Sequence, residues 1–533
     1  MLSSLRQVPD AVVIGAGPNG LAAANVLAAR GWSVAVLEAQ SQPGGAVRSG
    51  QLIEPGYTND LFSAFYPLAV ASPVFSGMDL DQHGLRWCRS ALALAHPNID
   101  GSCPVVSSDL DETCASLDLG HPGDGDRWRH LYARWQRLEP AIIGALTGPF
   151  PPVRAGARLI GSMSPSELLP FVRFALLPVR RLGEEEFEGE PARRLVAGNA
   201  LHADFSPEAA ISGFFGWLLM GLAQGHGFPV PEGGAGSLTA ALVARMQSHG
   251  ATLSCDARVT SVVIRSGRAV GVRLADGTEV EAGRAVIADV SAPSLFLDLV
   301  GEQHLPASYL DGLRRFQWDL ATVKVDWTLD GPIPWTSPDA RRSGTVHVAD
   351  SVDALTMGTA ALSTGRIPDR PFLLVGQQSM VDPTRQPAGK ESAWAYTHVP
   401  QQVRGDGGGD DLRGAWDERE TQIFAARMEA EIEALAPGFG ALIRGRHVFT
   451  PPTMESANAN LRRGSINGGT AQLHQQLVFR PVPGAGRAGT PVKGLFLGSA
   501  SAHPGGGVHG ACGANAAKAA LAAEWRRAVP FSR

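Results

Sequence analysis

Three glycines at a fixed spacing do most to limit what this chain can fold into. Gly15, Gly17 and Gly20 form G-x-G-x-x-G, preceded by the apolar run Ala11–Ile14 and followed by an alanine-rich stretch over residues 19–30. Gly31 stops that stretch, and residues 33–37 return to apolar character. A buried strand, a tight turn, a helix and a second buried strand account for this order, which is one complete βαβ unit. The first glycine permits the turn, the second lets backbone approach a pyrophosphate, and Ala24 keeps the helix close to the sheet. The helix N-terminus offers free N–H groups and the positive end of its dipole to the phosphates. Glu38 ends the second strand 18 residues after Gly20, near the roughly 20-residue spacing of a carboxylate that accepts from ribose hydroxyls. The unit predicts a dinucleotide site.

Which dinucleotide is read just downstream, in Pro43-Gly44-Gly45-Ala46-Val47-Arg48. Paired glycines turn backbone N–H groups toward a second side of a pyrophosphate; Arg48 either neutralises it or is a solvated arginine in a plain loop. Near the other end, residues 494–517 read strand, glycine loop, helix, which supplies a second helix N-terminus. With the preceding unit, VVIGAGPNGLAAANVLAARGWSVAVLEAQSQPGGAVRS closely resembles the FAD-binding N-terminus of the phytoene desaturase and amine oxidase superfamily. GLFLGSASAHPGGGVHG, from Gly494, is similar to that family's segment along the flavin ribityl chain and ring. The resemblance implies Gly498, Val508 and His509 as flavin neighbours, and matches Val259 to the strand whose backbone reads adenine. GFPVPEGGAGSL, from Gly227, resembles the family's P-x-G-G lead into a helix. TPPTMESANANLRRGSINGG, from Thr450, resembles the branch that includes pyridine nucleotide-disulfide oxidoreductase domain-containing protein 2. A second dinucleotide unit for a nicotinamide is missing, as is a redox C-x-x-C, so disulfide reductase chemistry is not expected. The resemblance covers both ends and two interior blocks and is weak from about residue 101 to 200.

Composition bounds the rest. A chain of 533 residues allows two or three domains at roughly 100 to 200 residues each. With 44% hydrophobic and 18% charged residues it buries a large core. A net charge of -5, from 46 basic and 51 acidic residues, gives no cationic excess for a phosphate backbone, and nucleic acid is not an expected partner. The five cysteines are scattered, which argues for a reducing compartment. Residues 1–10 lack the charged and apolar regions of a signal peptide, and a cytoplasmic location, with peripheral membrane contact, is expected. The longest apolar stretch, residues 209–223, has 15 residues, short of the roughly 20 that cross a bilayer, and reads as a buried helix. Residues 166–182 (SELLPFVRFALLPVRRL) read as a core helix broken by Pro170 and Pro178, or as a membrane-surface or lipophilic-tunnel helix.

The expected fold class is α/β, with a discontinuous Rossmann-type FAD-binding domain over residues 1–80, 226–300 and 485–533. A second substrate domain, a mixed sheet plus helices, covers it from residues 81–225 and 301–484. Alternation with Ser-Gly and Asp-Gly turns predicts a three-stranded meander over residues 259–281, with a further strand at 284–288. Residues 317–400 suggest strands between proline-rich turns, Glu418–Leu435 an amphipathic helix, and residues 481–489 a surface linker. A last strand at 494–497 and a helix over residues 511–527 return the chain to its first domain.

Catalytic candidates are His503 and His509, which flank the glycine loop; each is an acid or base near the flavin or a structural histidine bonding loop carbonyls. Asp60 and Ser63 either face the ring or cap a helix. Cys512, at a helix start, reads as a buried thiol, so FAD is expected to be noncovalent. No metal site is expected. The implied activity is hydride transfer from a C–H bond of a small, largely apolar substrate, carotenoid or otherwise isoprenoid-like, to flavin N5, with oxygen or a quinone as acceptor. The rivals are a flavin amine or amino-acid oxidase releasing hydrogen peroxide, and a non-catalytic binder of lipid or prenylated cargo.

Overall fold

The computed structural model describes residues 8–528, so Met1–Gln7, on which part of the leader reading rests, lie outside the described residues. Five parallel strands form the first sheet, in the order Leu495–Leu497, Ala285–Ala288, Ala11–Ile14, Val34–Leu37, Thr252–Ser254. Val13 pairs with Ile287 on one side and Val36 on the other. Four of the strands are covered on both faces, which explains why they are continuously apolar and not alternating; Thr252–Ser254, at the edge, is partly exposed. Ala11 and Val13 meet Leu21, Ala24 and Leu27 of the first helix, Pro18–Ala28. Val12 and Ile14 face the meander Val259–Arg265, Arg268–Leu274, Glu279–Glu281. The helices Gly236–Ser248 and Ala511–Ala528 complete the layer beside the first helix.

The second sheet has seven strands, in the order Ile443–Phe449, Ala321–Leu329, Glu391–Val399, Leu373–Gly376, Ser343–Val348, Leu92–Ala95, Val105–Ser107. Its pairs are antiparallel except Ser343–Val348 with Leu92–Ala95. The helix Glu418–Leu435 lays Phe424, Met428 and Ile432 on the back of this sheet, against Val325 and Trp327. A cluster of helices between residues 110 and 226 packs at its far end around Trp128, Trp135 and Trp217.

Several expectations are corrected. The buried apolar helix runs Ser212–His226, starting three residues after the apolar stretch begins, because Ile211 is left-handed (φ 66°) and the Ser212 hydroxyl accepts the Val179 N–H. Residues 166–182 break at Pro178 as expected, but not at Pro170. Pro165–Leu176 carries Pro170 within it, and the chain breaks at Pro178 before Val179–Glu186. Only Phe171 and Phe174 of that first helix are buried, while Leu169 is 76% exposed. The proposed surface linker is buried at its start: Arg480, Pro481 and Val482 are inside, and the Arg480 guanidinium donates to the carbonyls of Asn467, Thr470 and Ala500. The segment 317–400 also contains an unexpected helix, Val352–Ser363. Its buried residues are Val352, Leu355 and Thr359, too few to register as an apolar stripe along the whole helix.

Candidate cofactor and substrate cleft

The first glycine loop is shaped by close approach. A Cβ on Gly20 would sit 2.1 Å from the Gly15 carbonyl oxygen, and one on Gly17 would sit 2.6 Å from an Asp289 carboxylate oxygen. Gly15 and Gly17 therefore lie tight against the end of the neighbouring strand, with their outer backbone free for a ligand. The second loop docks on the first: the Gly44 N–H donates to the Ala16 carbonyl at 2.8 Å, and Gly45, left-handed at φ 55°, faces the Gly17 Cα. Arg48 is not a solvated arginine. It donates to the carbonyls of Gly45 and Ala457, each at 3.0 Å, and lies over the Phe62 ring. It clamps the second loop to the segment after Thr450.

Glu38 is 8% exposed, its carboxylate accepting from the N–H groups of Ala16 (2.7 Å) and Gln40 (3.0 Å). The Glu38 carbonyl accepts the Ala257 N–H, which brings Val259, two residues on, to the same end of the sheet. Gly498 continues the closing strand, donating to the Ala288 carbonyl; a Cβ there would crowd Ile287 and Ala516. Val508 stands on the cleft wall. The G-x-G-x-x-G spacing recurs at Gly484–Gly489 and Gly505–Gly510. Only the second joins a strand to a helix, and it is part of the loop that lines the cleft.

Neither catalytic histidine candidate reaches the cleft. His509 is 3% exposed, and its Nδ1 accepts the Ala511 N–H at 3.0 Å, capping the closing helix. His503 is 5% exposed and set edge-on to Phe150. Burial pulls both imidazoles down to a pKa of about 4, so both are neutral at physiological pH. Cys512 is fully buried beside the carbonyls of Ala502 and Gly505, and burial pushes its thiol up to about 12. Asp60 does not line the cleft; it serves the start of the helix Gly236–Ser248, accepting the N–H of its N-cap residue Ala235. It is inaccessible, paired with Arg385 at 2.6 Å, and accepts from Ser49 Oγ and the Ala235 N–H. Arg385 also pairs with Asp382 at 2.9 Å, tying the loop after the first domain's second strand to the covering segment. Ser63 does line the cleft.

The cleft, about 370 Å³, opens between the glycine loops and the seven-stranded sheet. Gly17, Gly45 and Val508 line one side; Phe215, Leu218, Phe228, Leu374 and Trp394 line the other. Three polar wall groups escaped sequence reading. Lys324 donates to both Asp326 carboxylate oxygens, at 2.6 and 2.5 Å, and to the Asp60 carbonyl, and lies over the Trp394 ring. Burial raises Asp326 to a pKa of about 6, against the pull of Lys324. Lys324 and Asp326 lie two apart in a strand, hence on one face, a pairing that the alternation of polar Thr322, Lys324, Asp326 and Thr328 with apolar neighbours could have signalled. His202 lines the cleft with its Nε2 2.8 Å from His347 Nε2, and no motif marks it. Asp289 accepts the Gly20 N–H at 2.8 Å; burial, with Glu38 adding to it, raises its carboxyl to about 7.

These residues fit a bound FAD. The glycine cradle leaves room that side chains would fill, and the buried Asn19 Oδ1 and Asn467 Nδ2, on cleft-lining residues, have no partner within the protein. The loops at Gly15–Gly20 and Gly44–Gly45 would hold the pyrophosphate, Glu38 the ribose, and the 506–508 loop the flavin.

Comparison with known proteins agrees. Residues 10–160 match the FAD dependent oxidoreductase family, and residues 165–339 the flavin containing amine oxidoreductase family. Pyridine nucleotide-disulfide oxidoreductase domain-containing protein 2 of Rattus norvegicus is 29% identical over 96% of this chain and 93% of its own length. A phytoene desaturase of Fusarium fujikuroi is 26% identical over 93% of this chain and 86% of its own. A limonene dehydrogenase component of Castellaniella defragrans is 22% identical over 97% and 95%. In fold, the chain is similar to cyclohexylamine oxidase from Brevibacterium oxydans (TM-score 0.60, 19% identity, 98% of this chain and 100% of that one). It is likewise similar to an oxidoreductase from Methanosarcina mazei (TM-score 0.62, 14% identity, 96% and 99%). The chain is thus an FAD-dependent oxidoreductase whose cofactor is FAD, similar to flavin amine oxidases and phytoene desaturases and, along nearly its whole length, to pyridine nucleotide-disulfide oxidoreductase domain-containing protein 2.

Proposed function

We propose that this oxidoreductase dehydrogenates a C–H bond of a largely apolar organic substrate, of isoprenoid-like character, held between the glycine loops and the second sheet. One observation carries the reading: the substrate side of the cleft is apolar and aromatic, and its charged group is a cation, Lys324, already paired. The carboxylate that could anchor an ammonium there, Asp326, is fully buried and already held by Lys324, and the charge the wall presents is an ammonium, which repels an amine. Two relatives are named for phytoene and limonene, both hydrocarbons. FAD, when bound, supplies the two-electron acceptor. The chain's own residues exclude water with Phe215, Leu218 and Phe228, and keep a neutral His202 on the wall, its pKa lowered to about 3 by burial. Oxygen or a quinone is proposed as the final acceptor, and FAD as noncovalent, because Cys512 is a buried, protonated thiol.

The test is anaerobic loss of the bound flavin's visible absorbance with terpenoid hydrocarbons and with matched amines. Bleaching by the hydrocarbons supports the reading. Bleaching by amines alone, with hydrogen peroxide on readmitting air, replaces it with the oxidase alternative.

Peripheral membrane contact is proposed from Leu169, Val172 and Leu176, exposed on one helix beside the exposed Arg154 and Arg158 of the helix before it. Co-sedimentation with anionic vesicles should fall when Leu169 and Leu176 are changed to serine; unchanged co-sedimentation, or none at the outset, would remove this proposal.

A further inference from the structure

Behind the cleft lies a second chamber, of about 350 Å³, between the seven-stranded sheet and the helix Val352–Ser363. Ala354, Gly358 and Ala361 form its roof at i, i+4 and i+7, and a Cβ on Gly358 would meet nothing within 4 Å. Asp350, Arg370 and Glu431 stand at its rim, where Arg370 pairs with both carboxylates.

Three observations join this chamber to the cleft. Ala203 lines both. Thr322, on the cleft wall, is 3.4 Å from Nδ1 of His398, on the chamber wall. Trp394, Tyr396 and His398 form an aromatic ladder on one face of one strand, with ring centroids 6.0 and 5.7 Å apart. The first two rings belong to the cleft and the third to the chamber. Buried at 7% exposure, His398 leaves its Nε2 without a hydrogen-bond partner. A buried polar nitrogen without a partner is costly, and a ligand oxygen in the chamber would satisfy it.

We infer that the chamber is the distal subsite of the same substrate. The substrate is then an elongated lipophile whose reacting end lies in the cleft and whose far half runs along the ladder, carrying one uncharged oxygen function read by His398. His398 is thereby a specificity-determining residue with no part in the redox step. This inference rests on the apolar-substrate reading above.

The test uses FAD-loaded protein and unbranched 1-alkanols from hexanol to hexadecanol, followed by titration calorimetry and by perturbation of the flavin spectrum. In the parent, affinity should rise about fourfold per methylene up to the longest members. Gly358→Leu, which fills open space on a helix that prefers leucine to glycine, should leave the short alkanols unchanged and end the rise at intermediate length. Ala361→Phe is a second plug, should the first fail to retain FAD. His398→Phe should remove an advantage of about tenfold that long alkanols hold over 1-chloroalkanes of equal length. A graded parent profile that both plugs leave unchanged overturns the distal subsite while sparing the apolar-substrate reading. Equal weakening of short and long alkanols by the plugs also overturns it, since the chamber would then be a separate site acting at a distance. A parent profile flat with length overturns both.

Discussion

The two walls of the cleft are built on opposite plans. On the cofactor side, the chain uses backbone from contiguous loops, and Gly17, Gly20 and Gly45 are there because a side chain would collide with neighbouring backbone or carboxylate. On the substrate side it uses side chains gathered from the strands at Ala321–Leu329, Leu373–Gly376 and Glu391–Val399 and from the helix Ser212–His226. A fixed ligand such as a dinucleotide is met by a fixed local motif. The substrate is met by side chains from positions far apart in sequence.

The joint between the two walls is where the largest effect is expected. Arg385 is inaccessible and bridges Asp60 and Asp382. Arg385→Met leaves two buried carboxylates without their cation, and should cost about 3 to 5 kcal/mol and lower the retained FAD. Denaturant unfolding with a flavin count checks both; a loss within experimental error would show that the walls hold together without this bridge.

A smaller effect is expected at Glu38, within the cofactor wall alone. A charged hydrogen bond contributes about 1.5 to 3 kcal/mol, so Glu38→Ala should weaken FAD binding by one to two orders of magnitude and leave substrate-length dependence unaltered. Because Glu38 also receives the Ala16 N–H, part of the loss should appear as a looser glycine loop. Wild-type affinity for FAD in the variant would contradict its assignment to the ribose.

Legibility in the sequence divides along the same line. Gly15, Gly17, Gly20, Gly44, Gly45 and Glu38 could be read because a tight turn and a close approach demand particular residues at particular spacings. Four of the parallel strands could be read because burial on both faces leaves no polar position, while the edge strand Thr252–Ser254, partly exposed and with two polar residues, could not; the helix Glu418–Leu435 could be read because its apolar stripe repeats every turn. His202 and Asp289 could not, since each gains its role from a neighbour far along the chain: His347, 145 residues away, for one, and Gly20, 269 residues away, for the other. His503 and His509 misled for the converse reason. They sit beside the right glycines in sequence, but the loop turns their rings away from the cleft into the packing behind it. The helix Val352–Ser363 was invisible because only Val352, Leu355 and Thr359 are buried, too few to mark an apolar stripe.

The titration of Asp289 separates the walls further. Its carboxyl ionises near 3.8 when unfolded and at about 7 in the folded chain, chiefly through burial. Between about pH 4 and about pH 7 the unfolded chain loses this proton while the folded chain keeps it, so the group's contribution to stability falls as pH rises through that window. FAD-free Asp289→Asn should lack this fall, and the wild type should lose stability relative to the variant across it. Asp204 and Asp326, both raised to about 6, are common to the two proteins and cancel in the difference. Parallel profiles would show that the folded Asp289 is ionised throughout.

The central claim is that the substrate wall selects by apolar shape and not by a charged anchor. It is tested most directly by kcat/KM along two substrate series, one shortened a methylene at a time and one stripped of its polar group at fixed length. Each methylene removed should cost about 0.8 kcal/mol, giving a graded decline, with only a modest loss in the second series. A flat dependence on length together with an abrupt loss on removing one amine or carboxylate would contradict the claim.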